Sequence, residues 1–219
     1  MSAVICPLCW SASTGAFHTD KHRAYWRCCV CRLVFVTERE HLSFRAEKKE
    51  YDYHENLAGD VGYLNFLRRL ADPLVQRLSA ASVGLDIGCG PGPVLQTWLQ
   101  AQGFKVAIFD KFYARDGAVL QHQYDFVCAT EVVEHFRQPG LSLLAMWQLL
   151  KPGGYLALMT KRVIDLEAFS RWHYKNDPTH ISFFSDESFS WLAAKLNARL
   201  EFVGKDVVFL KKPLLHGAE

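Results

Sequence analysis

Apolar residues recur in two different patterns along the chain, and the pattern changes near residue 60. Before that point, short alternating stretches at 24–27 and 33–36 predict brief strands. After it, apolar runs alternate with helically spaced segments, which is typical of strands separated by helices. The sequence therefore predicts a small module at 1–37, a charged linker or lid at 38–60, and an α/β domain at 61–219.

The α/β part follows the order of a doubly wound sheet. A helix with a break or kink at Pro73 is predicted first, followed by strands over 83–87, 105–109, 124–130 and 155–160 with helices between them, and a final hairpin of 200–203 with 207–210. We therefore expect an α/β, doubly wound, Rossmann-like sheet of seven strands with an antiparallel last strand. Since only 13 residues separate Asp110 from Tyr124, the third strand is expected to be abbreviated to a short one near 118–120.

A glycine-rich turn at 88–92 follows the first strand of this domain. Pro91 and Pro93 lack the N–H groups with which a helix start binds pyrophosphate, so the turn favours a nucleoside without phosphates. Asp110 ends the next strand, where an acid is placed to accept ribose hydroxyls. Asp86 adds a carboxylate suited to an ammonium group.

A second group of candidate residues follows the fourth predicted strand, at 124–130. Glu131, Glu134 and His135 are spaced i, i+3 and i+4, which places them on one face of a helical turn. They are compatible with a catalytic base and its orienting carboxylate, with a structural role, or with a divalent cation site to which His180 adds a fourth ligand.

The segment 170–180 is rich in aromatic and polar residues and has no clear periodicity. We interpret it as a loop over an acceptor pocket, although its aromatic residues also suit packing on the core. The candidate substrate-binding residues are Trp172, His173, Tyr174 and His180 in this loop, and Tyr51 and His54 in the linker or lid.

Five of the seven cysteines precede residue 32. Cys6 with Cys9 and Cys28 with Cys31 form two C-x2-C pairs, which is the spacing of a zinc ribbon with a closed, structural Zn²⁺ site. Cys29 adds an ambiguity in register. The net charge of only +2 and the lack of an apolar run long enough for a membrane helix favour a soluble, cytoplasmic protein with neither a DNA nor a membrane partner.

Four ordered motifs carry a family resemblance. LDIGCGPG at 85–92, IFD at 108–110, YDFVCATEVVEHF at 124–136 and LLKPGGYLALMT at 149–160 together resemble class I S-adenosylmethionine-dependent methyltransferases over about residues 60–212. The zinc ribbon ahead of this domain resembles a group of bacterial methyltransferases. The E-x-x-E-H segment is similar to that of quinone O-methyltransferases and of metal-assisted enzymes that act on the terminal ribose of small RNAs.

The resemblance implies roles for individual positions. Gly88 and Gly90 would contact the aminocarboxypropyl part of S-adenosylmethionine, with Asp86 at that end, and Asp110 would bind the ribose. Thr130 and Glu131 would lie beside the methyl donor. The remaining cofactor-binding positions would be Cys89 in the turn and Lys111 near the adenine.

These implications favour an S-adenosylmethionine-dependent methyltransferase that acts on a small molecule. One alternative is an RNA methyltransferase, metal-assisted through E-x-x-E-H, in which Lys21, Arg23, Arg27 and Arg32 of the ribbon grip phosphate. Another is a noncatalytic interaction protein that binds zinc and S-adenosylmethionine. The sequence indicates no oligomeric state.

Overall fold

A six-stranded mixed sheet and a smaller, four-stranded antiparallel sheet organise the fold. The computed structural model describes residues 3–53 and 60–214. The strands are β1 Thr14–Thr19, β2 Ala24–Cys28, β3 Val34–Val36, β4 Val83–Ile87, β5 Lys105–Phe109, β6 Tyr124–Thr130, β7 Leu150–Met159, β8 Ser182–Phe183, β9 Arg199–Val203 and β10 Val207–Lys211. The α-helices are α1 Phe44–Tyr51, α2 Val61–Val75, α3 Val94–Ala101, α4 Pro139–Gln148, α5 Leu166–Ser170 and α6 Asp186–Leu196.

The large sheet has the order β5-β4-β6-β7-β10-β9, in which β4 to β7 are parallel and β10 runs antiparallel to both of its neighbours. Alternate residues of each strand face opposite layers of helices. Phe126 and Cys128 of β6 pack with α2 and α3, whereas Val127 and Ala129 pack with α4 and α6. The predicted α/β, doubly wound fold with an antiparallel strand near its end is confirmed.

The predicted seventh strand is not found among the described residues. The segment expected to form it near 118–120 is a 3₁₀ turn, Gly117–Gln121, which Asp116 caps by accepting from the N–H of Ala118. The interval between β5 and β6 is too short for both a helix and a strand, so the edge closes with a turn. The break predicted at Pro73 is also absent, because α2 continues through this residue within its last turn.

The small sheet joins three strands of the first 36 residues to one strand from the later part of the chain. Its order is β1-β2-β3-β8, and β8 pairs Phe183 with Val34 and Ser182 with Phe35. Residues 3–37, which we call the N-terminal module, therefore share a sheet with a strand that follows β7 in the chain. Cys6 and Cys31 also lie in the same apolar cluster as α4 and α6. The module and the α/β part thus share both a sheet and a core.

The predicted linker or lid contains α1 in its described part. Ser43 caps this helix by accepting from the N–H of Ala46 at 3.3 Å. Among the described helices, none combines the length and the apolar character that crossing a membrane requires.

Candidate active site

A cavity of about 860 Å³ opens at the carboxyl ends of the parallel strands. This is the edge of an open α/β sheet at which ligands bind, and the volume lies in the range of about 300–1,000 Å³ typical of small-molecule sites. Two of its walls can be defined by their residues. The glycine wall is formed by segments 88–92 and 110–113, and the loop wall by segment 173–180. The residues of these segments that face the cavity are Gly88, Gly90, Pro91, Asp110, Lys111, Phe112 and Tyr113 in the first, and His173, Tyr174, Asp177 and His180 in the second.

The glycine wall depends on backbone conformations that only glycine adopts easily. Gly88 has a φ of +77° and Gly90 a φ of +66°. A Cβ atom at Gly88 would overlap the side chain of Val132. The turn can therefore bring its backbone close to a ligand only with these glycines in place.

Asp110 fixes this wall by accepting three backbone hydrogen bonds. One carboxylate oxygen accepts from the N–H of Phe112 at 2.7 Å and of Tyr113 at 3.1 Å, and the other accepts from Gly90 at 3.1 Å. A carboxylate has about four acceptor positions, so one remains for a ligand hydroxyl. Asp110 lines the cavity, and the wall therefore fits the ribose of a nucleoside.

The predicted cofactor-binding residues separate into two groups. Asp86, in β4, and Cys89, within the glycine turn, are both buried and are not among the described residues that line the cavity. Burial raises the pKa of Asp86 to about 7. The others all line the cavity: Gly88, Gly90, Asp110, Lys111, Thr130 and Glu131.

Sequence reasoning missed the buried carboxylate of Glu47, on α1. Its oxygens form ion pairs with Lys111 and, at 3.2 Å, with Arg137, and the Tyr51 hydroxyl donates to it at 3.0 Å. These contacts hold α1 against the cavity, which Tyr51 lines. Hydropathy gives no signal for Glu47, because it lies in a charged helix and its two cationic partners, Lys111 and Arg137, are distant in sequence.

Glu131, Glu134 and His135 adopt a geometry different from the predicted helical face. Only Val133–His135 form a 3₁₀ turn, and Glu131 precedes it with a left-handed φ of +53°. Glu131 lines the cavity, and burial raises its pKa to about 6. Glu134 is fully buried, accepts a hydrogen bond from the Tyr174 hydroxyl, and has its pKa raised by burial.

His135 and His180 lie side by side, with ring centroids 4.7 Å apart. Nδ1 of His135 lies 3.1 Å from the carbonyl oxygen of Thr179, and Nδ1 of His180 lies 2.7 Å from that of Tyr174. Because a carbonyl oxygen only accepts, both Nδ1 atoms carry the proton. Burial, with the neighbouring His180, lowers the pKa of His135 to about 3, so its ring is neutral and Nε2 is an acceptor.

Three of the four residues of the suggested divalent cation site come together. One potential ligand atom from each of Glu134, His135 and His180 lies within 4.8 Å of the others. Glu131 is not part of this group among the described residues. The Nδ1 contacts to backbone carbonyls are of the kind that orient metal-binding imidazoles.

The candidate substrate residues also separate. Tyr51, His173, Tyr174 and His180 line the cavity, whereas Trp172 packs on Phe169 and Phe183 at ring distances of 5.9 and 6.1 Å. His54 lies outside the described residues.

The four predicted zinc ligands cluster in the N-terminal module. The sulfur atoms of Cys6 and Cys31 are 3.5 Å apart and those of Cys9 and Cys28 are 3.4 Å apart, and all four lie within 4.8 Å of one another. Zn–S bonds of about 2.3 Å in a tetrahedron require comparable sulfur separations, so the donor set fits Zn²⁺. Cys29 is exposed and lies outside this cluster.

A family model and curated relatives show which known proteins this chain is similar to. A family model described as a methyltransferase domain matches residues 63–201. The ubiquinone biosynthesis O-methyltransferase of Cereibacter sphaeroides is 31% identical over 131 residues, which cover 59% of this chain and 51% of that protein. The enzyme of the same description from Citrobacter koseri is 33% identical over 84 residues, covering 38% and 35%. The matched parts thus span about half or less of these relatives.

A solved structure supports the fold. The 1,6-didemethyltoxoflavin-N1-methyltransferase of Burkholderia thailandensis, with bound 1,6-didemethyltoxoflavin and S-adenosylhomocysteine, superposes with a TM-score of 0.53 at 14% identity, covering 90% of this chain and 99% of that one. The family model extends over more than half of the chain, and its matched region contains both the glycine turn and Asp110. The chain therefore belongs to the class I S-adenosylmethionine-dependent methyltransferases.

Proposed function

We propose that the protein transfers the methyl group of S-adenosylmethionine to a hydroxyl group on a small, planar acceptor. The observation that carries this proposal is that one cavity contains both the glycine wall and the neutral imidazole of His135. A cofactor on the first and an acceptor beside the second would meet within that cavity. In-line alignment of this kind accounts for a large share of the catalysis of methyl transfer.

The glycine wall supports the cofactor half of the proposal. Asp110 has an acceptor position left for a ribose hydroxyl, and Gly88 and Gly90 allow the aminocarboxypropyl chain to approach the backbone. S-adenosylmethionine, when bound, supplies the activated methyl group. Thr130 and Glu131, which line the cavity after β6, would lie beside it.

His135 supports the acceptor half. The contact with Thr179 fixes the tautomer, so that Nε2 accepts the proton of the acceptor hydroxyl. A phenolic hydroxyl is more acidic than an aliphatic one and therefore gives up its proton to a neutral imidazole more readily. The aromatic lining suits a planar ring, and two relatives are named as O-methyltransferases of ubiquinone biosynthesis.

Two measurements test the proposal. Calorimetry should show binding of S-adenosylhomocysteine to the wild type and strongly weakened binding to Asp110→Ala. Asp72→Ala, a partly exposed position on α2 that does not line the cavity, should bind normally. A screen of simple phenols and catechols for transfer of a labelled methyl group should then find an acceptor whose turnover His135→Ala reduces by about 100-fold. Unchanged affinity in Asp110→Ala, or unchanged turnover in His135→Ala, would contradict the assigned roles.

We also propose that Cys6, Cys9, Cys28 and Cys31 hold one structural Zn²⁺. Four thiolates would complete a closed tetrahedral shell and leave no position for substrate. Metal analysis should find about one equivalent of zinc in the wild type and in Cys29→Ser, and none in Cys6→Ser. If the wild type holds a second equivalent of divalent metal, and His135→Ala loses it, a separate cation site at Glu134, His135 and His180 is indicated.

A further inference from the structure

The tip of the β1–β2 hairpin contacts the loop wall of the cavity. Arg23 lies in this tip, just before β2, and its guanidinium donates to the carbonyl oxygens of His180 at 2.9 Å, Asp177 at 3.1 Å and Pro178 at 3.3 Å. It also donates to the carbonyl oxygen of Lys175. A single side chain of the N-terminal module thus binds four backbone carbonyls of one loop.

This contact uses the full donor capacity of an arginine. A guanidinium has five N–H groups in a fixed planar fork, and Nε of Arg23 donates to the Tyr25 hydroxyl at 3.3 Å. The loop has no regular structure between residues 177 and 181, so most of its carbonyls need donors from elsewhere in the molecule, although that of Asp177 also accepts from the N–H of His180. Arg23 supplies them from a position more than 150 residues away in sequence.

Asp20 holds Arg23 and the loop together from the other side. One of its carboxylate oxygens accepts from the backbone N–H of Arg23 at 2.9 Å, and the other accepts from Nζ of Lys175 at 3.1 Å and from the Tyr25 hydroxyl at 3.0 Å. Lys175 is 6% exposed, so this ion pair is largely shielded from water. The hairpin tip and the loop therefore form one bonded unit.

The loop that Arg23 binds also orients groups in the cavity. Tyr174, Asp177 and His180 line the cavity, and the carbonyl oxygen of Thr179 accepts from Nδ1 of His135. Movement of this backbone would displace the hydrogen bond that fixes the His135 tautomer. The N-terminal module is thus connected to His135 through the loop backbone.

We propose that Arg23 is a positioning residue, which holds the loop wall in the conformation that orients His135 and His180. The N-terminal module is then a part of the acceptor side of the site and more than an appended metal-binding unit. The description of this side as the acceptor side rests on the proposed function, whereas the positioning of the loop by Arg23 does not.

The test compares Arg23→Ala and Arg23→Lys with the matched control Arg27→Ala. Arg27 lies on the same hairpin, but its guanidinium stacks over the Phe17 ring at 4.7 Å. In Arg23→Ala, hydrogen exchange of the amides in 174–181 should accelerate by about 10- to 100-fold, because charged hydrogen bonds to the loop are lost. Arg23→Lys, which keeps the charge but not the planar fork, should give an intermediate rate, and Arg27→Ala should leave these amides unchanged.

A second measurement separates positioning from general stability. The ring N–H proton of His135, protected by the Thr179 carbonyl, should give a slowly exchanging downfield NMR signal in the wild type and Arg27→Ala, and should be lost or broadened in Arg23→Ala. The affinity for S-adenosylhomocysteine should remain within about twofold, since the glycine wall makes its own backbone contacts. Should Arg23→Ala fail to fold, Arg23→Lys carries the comparison by the same measurements.

Unchanged loop exchange together with an unchanged His135 signal in Arg23→Ala would overturn the proposal, as would an equal acceleration throughout the protein. If the wild type fails to bind S-adenosylhomocysteine, the proposed function is wrong, but the loop and histidine measurements still decide the role of Arg23.

Discussion

The two walls of the cavity are stabilised by different kinds of contact. The glycine wall is stabilised by contacts that are local in sequence, because Asp110 accepts from N–H groups no more than 20 residues away. The loop wall is held by Arg23 and Asp20, more than 150 residues away in sequence. This difference predicts that a substitution can disrupt one wall while the other keeps its structure. The substitutions that test this prediction differ in the size of their expected effect.

The largest effect is expected from removal of the proposed zinc ligand in Cys6→Ser. A structural zinc site contributes on the order of 10 kcal/mol in small zinc domains, so the N-terminal module should lose its order. Loop amides at 174–181 should exchange rapidly, while S-adenosylhomocysteine should still bind within about fivefold of the wild type. Hydrogen-exchange mass spectrometry measures the loop amides and calorimetry measures the binding of S-adenosylhomocysteine, with Cys29→Ser as the control. Loss of cofactor binding in step with the loop would show that the walls are not independent.

Gly88→Ala should produce the opposite result. The added methyl group overlaps Val132 and occupies a left-handed backbone position, which together cost about 2–5 kcal/mol. We expect binding of S-adenosylhomocysteine to fall by at least about 100-fold, while the loop amides exchange as in the wild type.

The matched control is Gly103→Ala, where φ is +95° but no atom of the described residues, apart from the two chain neighbours, lies within 4 Å of the new Cβ. This variant should lose a little stability and bind the ligand normally. If both variants bind equally well, the close approach at Gly88 has no role in the site.

Asp86 provides a pH test of the buried side of the glycine wall. Its folded pKa of about 7 lies above the unfolded value of 3.8, so the folded protein binds the extra proton between these values. The contribution of this carboxyl is therefore fully present below about pH 4 and is lost as pH rises through 7, by on the order of 2–4 kcal/mol. Asp86→Asn should remove this component.

Urea denaturation of the wild type and Asp86→Asn at pH 5 and pH 8 measures the effect. The wild type should lose stability relative to the variant on going to pH 8. A difference between the two proteins that is the same at both pH values would contradict the raised pKa.

The smallest effect is expected from Glu47→Gln on α1. Its cationic partners Lys111 and Arg137 are each 44% exposed at the side chain, so solvent screening limits the loss to about 1 kcal/mol. Affinity for S-adenosylhomocysteine should fall by a few-fold, because Lys111 belongs to the glycine wall, and the loop amides should not respond. Glu50→Gln on the same helix is the control, and equal effects of the two variants would mean that Glu47 has no special role.

The local wall is also the one that the sequence predicts well. The turn 88–92 and Asp110 follow strands whose apolar pattern is clear, and the structure brings them together at the cavity. The position of Asp86 beside the turn predicts a role in the same site. Its side chain is buried and is not among the described residues that line the cavity, since strand residues alternate between faces and the sequence does not show which of them meets the cavity.

The loop wall could be predicted only in part. Its aromatic composition identified it as a cavity loop, but nothing in the local sequence shows that Arg23 contacts it. The sequence makes Arg23 and Arg27 candidates for phosphate binding in the RNA alternative. In the structure the Arg23 guanidinium donates to carbonyl oxygens, and that of Arg27 lies over the Phe17 ring. Such pairings depend on β3 meeting β8, a contact between segments almost 150 residues apart.

The β3–β8 pairing also has a consequence for the order in which the molecule assembles. During synthesis the N-terminal module emerges first, but its sheet gains its fourth strand only after residues 182–183 have left the ribosome. Contacts of such long sequence separation form late and slow the folding of a chain. We therefore expect the contacts between the N-terminal module and the loop wall to form after the parallel strands β4 to β7 have paired. The cavity would then take its final shape as one of the last events of folding.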